Sequence, residues 1–170
     1  MSFSKDLQDK KILVLGAGVT GSAAARALIS RGAEVTLVDE SIATNAEFSI
    51  VQPSAVIVSE YDFVLISPGW KESHLLIQQA RAAEVTLLNE IDLAWAFKEE
   101  RSPGQKWLAL TGTNGKTTTV EMTAAALRAG GLHAVACGNV GKTVIECVES
   151  NEGYDVLVLE LSSFQLHWLQ

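Results

Sequence analysis

Two glycine-rich loops, each between a short apolar run and a helical pattern, constrain the fold of this chain more than any other feature. The first, GAGVTG at residues 16–21, follows the apolar run 12–15 and precedes an alanine-rich helical stretch. The second, GTNGKT at residues 112–117, follows the apolar run 107–110 and precedes another helical stretch. A strand, a glycine turn and a helix in this order form the phosphate-binding unit of α/β folds. The chain is therefore predicted to hold one such unit in each half.

Short apolar runs alternate with helical periodicities along the rest of the chain. Strands are predicted at residues 12–15, 35–38, 55–58, 63–66, 85–88, 107–110, 133–136 and 156–161, and helices at 19–30, 72–83, 91–100, 117–129 and 143–148. The strand runs are continuous and rich in β-branched residues, which is typical of parallel strands with both faces buried. This alternation predicts an α/β fold built on parallel sheets.

The first loop has the GxGxxG spacing of dinucleotide-binding units. Gly16 permits the tight turn, Gly18 lets phosphates approach the backbone, and Gly21 allows the helix to pack closely on the strand. Asp39 ends the second predicted strand, where an acidic side chain commonly accepts hydrogen bonds from a ribose hydroxyl. NAD, FAD and nucleotide sugars all carry a pyrophosphate, so the loop leaves the ligand open. A packing role for the glycines is the alternative.

The second loop departs from the strict phosphate-loop pattern GxxxxGK[ST], because Leu110 stands where that pattern has its first glycine. Gly112 and Gly115 still permit a cradle of backbone N–H groups around phosphate oxygens. Lys116 can neutralise charge on the β- and γ-phosphates, and the hydroxyl of Thr117 can bind Mg²⁺. The alternative is an ordinary turn before a helix.

Two polar residues stand near the ends of predicted strands in the second half. Glu160 lies near the end of the run 156–161, where a carboxylate that binds Mg²⁺ would be placed. Asn139 follows the strand at 133–136, at the edge where α/β sheets bind ligands. Each residue also has a structural interpretation, since a buried carboxylate needs a partner in any case and the sequence GNVG is compatible with a simple turn.

A cluster of chain-breaking residues, RSPGQ at 101–105, divides the two halves. We predict a Rossmann-like parallel-sheet domain at residues 1–100, a linker at 101–105, and the first part of a P-loop ATP-binding α/β domain at 106–170. The 66 residues from position 105 onward hold three predicted strands, fewer than a covered parallel sheet normally has. This part is therefore expected to be the truncated start of a larger domain, with Trp168 exposed.

Charge and cysteine content exclude several classes of protein. The chain has 13 basic and 20 acidic residues and a net charge of −7, so a nucleic-acid partner is not expected. Cys137 and Cys147 form no CxxC motif, which disfavours a disulfide framework and a zinc site. The polar N-terminus and the short apolar runs predict a cytoplasmic protein without a signal peptide or membrane insertion.

The two loops, about 100 residues apart, together resemble the Mur ligases of bacterial cell-wall synthesis. The stretches that carry this resemblance are TGTNGKT at 111–117, SPG at 67–69, NEIDL at 89–93, GNVG at 138–141 and LELSSFQL at 159–166. They are most similar to the branch of the family that adds D-glutamate. The resemblance implies three domains, which bind UDP-N-acetylmuramoyl-L-alanine, ATP with Mg²⁺, and D-glutamate in turn. It also implies an ATP-dependent, amide-bond-forming ligase of peptidoglycan synthesis that works through an acyl phosphate.

The resemblance also implies roles for individual residues. Contacts to ATP are implied for Gly112, Thr113, Asn114, Gly115, Lys116, Thr117 and Thr118. Contacts to the UDP substrate are implied for Gly18, Val19, Thr20, Asp39, Ser67, Pro68, Gly69, Asn139, Ser162 and Gln165. Mg²⁺ would be held by Thr117 and Glu160, and the catalytic residues would be Lys116, Asn139 and Glu160. Glu40 and Ser41 depart from the family's best-known members, which have Thr and Arg after the equivalent of Asp39.

Two other functions use fewer of these features. An NAD-dependent oxidoreductase needs only the first loop, and a non-catalytic nucleotide-binding module needs no further domain. Under the ligase interpretation, residues 1–170 are expected to be an N-terminal fragment that folds at least through its first domain and does not catalyse ligation. The sequence gives no indication of the oligomeric state.

Overall fold

A computed structural model of the protein describes residues 7–41 and 47–170, and these residues form two parallel sheets. The strands of the first sheet are Lys11–Leu15 (β1), Glu34–Val38 (β2), Ile50–Val51 (β3), Phe63–Ile66 (β4) and Thr86–Asn89 (β5). Those of the second are Lys106–Leu110 (β6), Ala134–Gly138 (β7) and Val156–Glu160 (β8). The strand orders are β3-β2-β1-β4-β5 and β6-β8-β7. The predicted α/β class with parallel sheets is confirmed.

Six α-helices are present in the described residues. They are Val19–Ile29 (α1), Leu75–Ala82 (α2), Glu90–Arg101 (α3), Lys116–Ala129 (α4), Val144–Glu149 (α5) and Ser163–His167 (α6). None of them combines the length and apolar character needed to cross a bilayer. Residues 1–6, on which the expectation of no signal peptide partly rests, lie outside the described part of the chain.

The first sheet is buried on both faces, as its sequence pattern predicts. Along β1, Ile12 and Val14 face one hydrophobic cluster, whereas Leu13 and Leu15 face another. Because successive side chains of a strand point to opposite faces, this division places one cluster on each side of the sheet. The carboxyl ends of β1, β2 and β4 all point to one edge, since their pairing is parallel.

The prediction of a strand at 55–58 is wrong. Here the chain forms two 3₁₀ turns, Pro53–Ala55 and Val58–Glu60, and the edge strand lies earlier, at Ile50–Val51. Pro53 has no N–H to donate to a sheet ladder and occupies the first position of a helical turn, which its fixed φ favours. Val56 and Val58 still pack on the core, so their apolar character reports burial and not strand conformation.

The two sheets share a hydrophobic core that is covered by helices of both halves. Ala24, Leu28 and Phe97 of α1 and α3 belong to the same buried cluster as Ile145 of α5 and Leu157 of β8. Two pairs of residues form polar contacts between the halves at this interface: Arg31 donates to Glu149, and the N–H of Ile145 donates to the carboxyl group of Glu90. The division into domains at residues 101–105 stays a prediction.

The end of the chain differs from the sequence-based expectation. Trp168 was expected to be exposed, but only 4% of its surface is accessible. It packs into the cluster between the first sheet and α2. The preceding helix α6 has no counterpart among the predicted elements, because five residues are too few for a helical periodicity to be recognised.

Candidate functional site

An open cavity of about 730 Å³ lies at the carboxyl ends of β1, β2 and β4. Ligands of open α/β sheets bind at this edge, where the strand order reverses between neighbouring strands. Three segments form its walls: the first glycine loop, the residues after β2, and the loop between β4 and α2. The lining residues are Gly16, Gly18, Asp39, Glu40, Ser41, Ser67, Gly69, Trp70, Lys71, Ser73, His74 and Leu75.

The three glycines of the first loop differ in what surrounds them. Gly16 has φ +105°, and a Cβ there would lie 2.6 Å from Ser67 Oγ. A Cβ on Gly21 would lie 1.8 Å from the carbonyl oxygen of Gly16, so only glycine allows α1 to approach β1 this closely. A Cβ on Gly18 would meet nothing within 4 Å. Gly16 and Gly21 therefore serve the backbone, whereas Gly18 leaves space open at the cavity.

Asp39 is buried and holds the glycine loop in place. Its Oδ2 accepts a hydrogen bond from the N–H of Ala17 at 2.8 Å, and its Oδ1 accepts from the N–H and the hydroxyl of Ser41 at 2.9 and 3.0 Å. Both carboxylate oxygens are therefore engaged by protein donors. The sequence-based role of Asp39 beside a ribose stays a prediction, and the structure adds a role in shaping the loop.

Ser67 lies beneath the first glycine loop, directly after β4. Within the described residues, its Oγ is a buried side-chain atom without a hydrogen-bond partner. Leaving a buried hydroxyl unpaired costs about 1–3 kcal/mol. Since Ser67 lines the cavity beside Gly16, a polar group of a ligand entering there could supply the missing partner.

Trp70 and His74 form a cavity wall that the sequence analysis did not identify. Their rings meet edge to face with centroids 4.4 Å apart. Nδ1 of His74 accepts from the N–H of Leu76 at the start of α2, and Nε2 lies 3.1 Å from Oε1 of Glu40. Their position in the sequence could have indicated this role, because both residues follow the SPG turn at the carboxyl end of a strand, where α/β sheets bind ligands.

Three other predicted substrate contacts lie next to this cavity without lining it: Val19, Thr20 and Pro68. Val19 and Thr20 form the first turn of α1, and the side chain of Val19 is 74% exposed. A ligand that extends from the cavity over the N-terminus of α1 would meet them. Their predicted contacts with a substrate stay predictions.

The second glycine loop connects β6 to α4. Gly115 caps α4 in the left-handed conformation with φ +74°, and Gly112 has φ +155°, so both positions favour glycine. Nζ of Lys116 donates to the carbonyl oxygen of Gly112 at 2.8 Å, which folds its ammonium back over the loop. Thr113, Asn114 and Thr118 lie around this loop and are exposed to solvent. The loop thus presents a cation and a helix N-terminus to one small region, an arrangement suited to phosphate.

Glu160, the last residue of β8, links this loop to β7. Its Oε2 accepts from the hydroxyl of Thr117 at 2.6 Å, and its Oε1 accepts from Nδ2 of Asn139 at 3.0 Å. The hydrogen bond from Thr117, then that from Asn139 and the charge of Lys116, lower the pKa of this carboxyl. Glu160 is therefore a buried carboxylate that stays ionised near neutral pH, and three predicted site residues meet at it.

The oxygen atoms of this cluster fit a magnesium ion. Mg²⁺ prefers oxygen ligands and commonly keeps several waters besides one or two protein oxygens and a substrate phosphate. Thr117 supplies a hydroxyl and Glu160 a carboxylate, in direct contact with each other. In the described part of the chain no group of three or more His, Cys, Asp or Glu side chains could form a metal site. An ion held by Thr117 and Glu160 would need phosphate or water to complete its shell.

Ser162 and Gln165 lie at the start of α6 and bond to each other. Oε1 of Gln165 accepts from the N–H and the hydroxyl of Ser162 at 2.9 and 3.0 Å, which forms a capping box. The main-chain carbonyl of Gln165 accepts from Nδ2 of Asn89 at 3.0 Å. The contacts that the structure gives these residues stabilise α6, and their predicted contacts with substrate stay predictions.

Comparison with known protein families gives different matches for the two halves. Residues 4–92 match the family model described as alanine dehydrogenase/PNT, C-terminal domain, which covers about half of the chain and places the first part in that Rossmann-like domain family. Residues 110–170 match the model described as Mur ligase middle domain.

Curated relatives match both halves in a single alignment. The UDP-N-acetylmuramoylalanine–D-glutamate ligase of Thermobifida fusca (strain YX) is 41% identical over 177 residues, which cover 96% of this chain and 37% of that protein. The enzyme of the same name from Streptomyces coelicolor is 40% identical over 178 residues, with the same coverage of both chains. The chain thus spans somewhat more than a third of the length of these relatives.

A solved structure has a similar fold at low sequence identity. The UDP-N-acetylmuramate:L-alanyl-gamma-D-glutamyl-meso-diaminopimelate ligase (MPL) from Neisseria meningitides superposes with a TM-score of 0.53 and 17% identity. The superposition covers 89% of this chain and 52% of that structure. At this low identity the superposition supports only the fold, with the two sheets in the same order along the chain. The evidence for a family comes from the sequence relatives.

Proposed function

The chain belongs to the Mur ligase family, and on that premise we propose that it carries two nucleotide sites of an ATP-dependent ligase. The proposed substrates are UDP-N-acetylmuramoyl-L-alanine, held in the cavity of the first sheet, and ATP, held by the glycine loop of the second. D-Glutamate is the proposed amino acid, and the product would be a precursor of peptidoglycan, formed in the cytoplasm. D-Glutamate and UDP-N-acetylmuramoylalanine enter this proposal from the names of the curated relatives.

The observation that carries the proposal is the cluster around Glu160. A hydroxyl from the glycine loop and an amide from the end of β7 both bond to this one buried carboxylate. A simple turn before a helix needs no such carboxylate. A site for a phosphate-bound Mg²⁺ does, because the ion needs a charged oxygen ligand fixed beside the phosphate loop.

In the proposed reaction, an oxygen of the substrate carboxylate forms a bond to the γ-phosphorus of ATP. The bond between that phosphorus and the β–γ bridging oxygen breaks, and ADP leaves with the electron pair. The amine of D-glutamate then attacks the carbonyl carbon of the acyl phosphate and loses a proton. The bond from that carbon to the phosphate oxygen breaks, so inorganic phosphate leaves and an amide remains.

The residues of the second site would stabilise charge and hold the phosphates in place. Lys116 would bind the β- and γ-phosphates, whose negative charge moves during transfer. Thr117 and Glu160 would hold Mg²⁺, which supplies Lewis-acid stabilisation of the phosphoryl oxygens when bound. Asn139 would orient Glu160 and, from the same strand end, face the carboxylate end of the UDP substrate.

The match of the first half to an alanine dehydrogenase domain favours a second candidate, an NAD-binding oxidoreductase. One observation weighs against it: an NAD-binding function leaves the cluster of Thr117, Asn139 and Glu160 without a purpose.

Calorimetric titration of residues 1–170 tests the proposed function, with one variant for each site. Gly18→Val places a side chain at the cavity, where an added Cβ meets nothing within 4 Å, and Lys116→Met removes the proposed phosphate-binding charge. We expect Gly18→Val to weaken binding of UDP-N-acetylmuramoyl-L-alanine by more than about tenfold and to leave Mg·ATP binding unchanged. Lys116→Met should do the reverse. NADH binding more tightly than the UDP compound would overturn the proposal in favour of the oxidoreductase.

Residues 1–170 by themselves are proposed to bind these ligands without ligating them. The curated relatives are nearly three times as long as the matched region, and the site for the amino acid would lie in the remaining length. Phosphate release from ATP that depends on D-glutamate, measured with residues 1–170 alone, would contradict this part of the proposal.

A further inference from the structure

Trp168 joins the two halves of the molecule at the edge where both candidate sites lie. It comes eight residues after Glu160, yet it is buried in the core of the first sheet, in one cluster with Leu13, Leu15 and Ile77. Its Nε1 donates to the main-chain carbonyl of Trp70 at 3.3 Å. Trp70 in turn lines the cavity of the first site. A side chain from the second half therefore supports a wall of the site in the first half.

The segment between Glu160 and Trp168 is held at both of its ends. At its start, the capping box of Ser162 and Gln165 fixes the first turn of α6. The carbonyl of Gln165 then accepts from Nδ2 of Asn89. Because Oδ1 of Asn89 also caps α3 by accepting from the N–H of Asp92, this one buried side chain ties α6 to the end of β5. The segment contacts the first half through these two hydrogen bonds, from Asn89 and from Trp168, and through a third contact, in which Nε2 of His167 lies 3.0 Å from Oε1 of the exposed Glu72.

We propose that residues 162–168, here called the clasp, keep the two ligand sites at a fixed separation. Asn89 and Trp168 are then positioning residues for phosphoryl transfer, and this inference rests on the proposed function. Transfer requires the carboxylate oxygen of one ligand to reach the γ-phosphorus of the other. Reacting atoms must lie about 3–3.5 Å apart for this, and a displacement of about 1 Å can cost a hundredfold in rate. Two ligands held on different sheets meet this condition only if the sheets do not shift.

The clasp differs from the rest of the interface between the halves in what it connects. The ion pairs elsewhere in this interface join helices to helices, as in the pairing of Arg31 on α1 with Glu149 on α5. The clasp instead begins two residues after Glu160, the carboxylate that would hold Mg²⁺, and ends at Trp168, which donates a hydrogen bond to Trp70 at the cavity. Loosening the clasp should therefore change the distance between the two sites more than it changes the structure of either site.

Two conservative variants weaken the clasp at its two buried points of attachment, the hydrogen bonds of Trp168 and Asn89. Trp168→Phe keeps a smaller aromatic ring in the core and removes the N–H that bonds to Trp70. Asn89→Ser keeps an oxygen that caps α3 and is too short to reach the carbonyl of Gln165. Trp95→Phe is the matched control, because Trp95 lies on α3, is about half exposed, and packs on Trp107 away from both sites.

A distance measurement between spin labels tests the clasp without any ligand. Labels on Gln78→Cys and Met122→Cys place one probe on α2 and one on α4, at exposed positions, while Cys137 and Cys147 are buried. We expect a single narrow distance distribution in the parent protein and in Trp95→Phe. The distribution should become clearly broader in Trp168→Phe combined with Asn89→Ser. An unchanged distribution in that double variant would overturn the clasp, whether or not the protein binds UDP or ATP.

Hydrogen exchange, measured with and without UDP, distinguishes loss of the clasp from a general loss of stability in the variants. In the parent protein, UDP should slow exchange at the cavity and also by about fivefold at residues 161–168, the lower end of usual coupling between sites. In either clasp variant, UDP should still bind, and its protection should stay confined to the cavity. Equal protection of residues 161–168 in parent and variants would contradict the inference. Absence of UDP binding to the parent would instead count against the proposed function.

Discussion

The two sheets carry their candidate sites in different ways. In the first sheet, β1 and β4 are buried along nearly their whole length, and the site is a cavity with side-chain walls. In the second, β8 is fully buried, whereas β6 is largely exposed and pairs with β8 alone among the described strands. Its site is a backbone loop with one cation and one buried carboxylate. The first site thus depends on packing, and the second on a few polar contacts at the surface.

This difference predicts which substitutions should change the stability of the fold and which should change ligand binding. Close packing at Gly16 and Gly21 means that a single methyl group added at either position should destabilise the fold. The second loop is exposed, so loss of its charged side chain should affect the ligand and leave the fold intact. Between the two lies the interface of α1, α3 and α5, where stability depends on a buried carboxylate and an ion pair. Four substitutions separate these cases, from the largest expected change in the free energy of unfolding to the smallest.

Gly21→Ala should have the largest effect. The new Cβ would lie 1.8 Å from the carbonyl oxygen of Gly16, so α1 would have to move away from β1. We expect the free energy of unfolding to fall by more than about 3 kcal/mol, as in overpacked cores. Gly18→Ala is the matched control and should change it little, because nothing lies within 4 Å of the added atom. Urea unfolding followed by circular dichroism measures both, and equal midpoints would contradict the account of the first loop.

Glu90→Gln should make stability less dependent on pH. Burial raises the pKa of Glu90 to about 7, whereas its ordinary value is 4.5. The folded state therefore holds this proton more tightly than the unfolded state, so stability is lost as pH rises from about 4.5 through 7. The loss amounts to about 3 kcal/mol at pH 8, where the glutamine variant should be the more stable protein. Glutamine keeps an oxygen for the N–H of Ile145.

Thermal or urea unfolding at pH 5 and pH 8 measures this effect. The parent protein should lose stability between the two values relative to Glu90→Gln. A parallel pH dependence in the two proteins would show that the Glu90 carboxyl does not control the stability of the interface.

Arg31→Met should have a smaller effect, at the same interface. The guanidinium forms two hydrogen bonds with Glu149, at 2.7 and 2.9 Å, and lies 3.6 Å from the centre of the Phe97 ring. Because the pair is mostly shielded from solvent, we expect its loss to cost about 1–2 kcal/mol. Arg26→Met removes a more exposed arginine that pairs with Glu146 across the same interface, and should cost less than about 0.5 kcal/mol. Urea unfolding of both variants measures the difference, and equal losses would contradict it.

Lys116→Met should have the smallest effect on stability and a large effect on binding. Its ammonium donates to the carbonyl of Gly112 in an exposed loop, so the free energy of unfolding should change by less than about 0.5 kcal/mol. Mg·ATP binding should weaken by more than about tenfold. Lys106→Met, at the exposed start of β6, removes an equal charge and should leave both quantities unchanged. A marked loss of stability in Lys116→Met would show that the second loop depends on packing as the first does.

Much of the fold could be predicted from the sequence, because buried parallel strands are continuous apolar runs. The failures have a common physical cause. Residues 55–58 are apolar because Val56 and Val58 pack on the core, yet Pro53 starts a helical turn there. Trp168 stands beyond the last strand in sequence, and nothing local indicates that it is buried under α2. Hydrophobic periodicity identifies buried residues that lie on a regular strand or helix. It does not identify residues that are buried from a turn or from a very short helix.

The candidate sites divide in the same way. The glycine loops, Lys116 and Thr117 could be predicted because local order along the chain defines them. Trp70 and His74 could not, since their place in the cavity depends on how the loop after β4 folds back toward β2. The role of Asp39 in bonding the N–H of Ala17 likewise depends on the neighbouring positions of β1 and β2 in the sheet.

Chemical-shift mapping of isotopically labelled residues 1–170 tests the central claim most directly, namely that each sheet carries its own nucleotide site. Titration with UDP-N-acetylmuramoyl-L-alanine should shift amide signals at residues 16–20, 39–41 and 67–75, with weaker effects along 161–168. Subsequent titration with Mg·ATP should shift signals at 112–118, 139 and 160. The account would be contradicted if the UDP compound shifted the second set most strongly, or if NADH displaced it from the first.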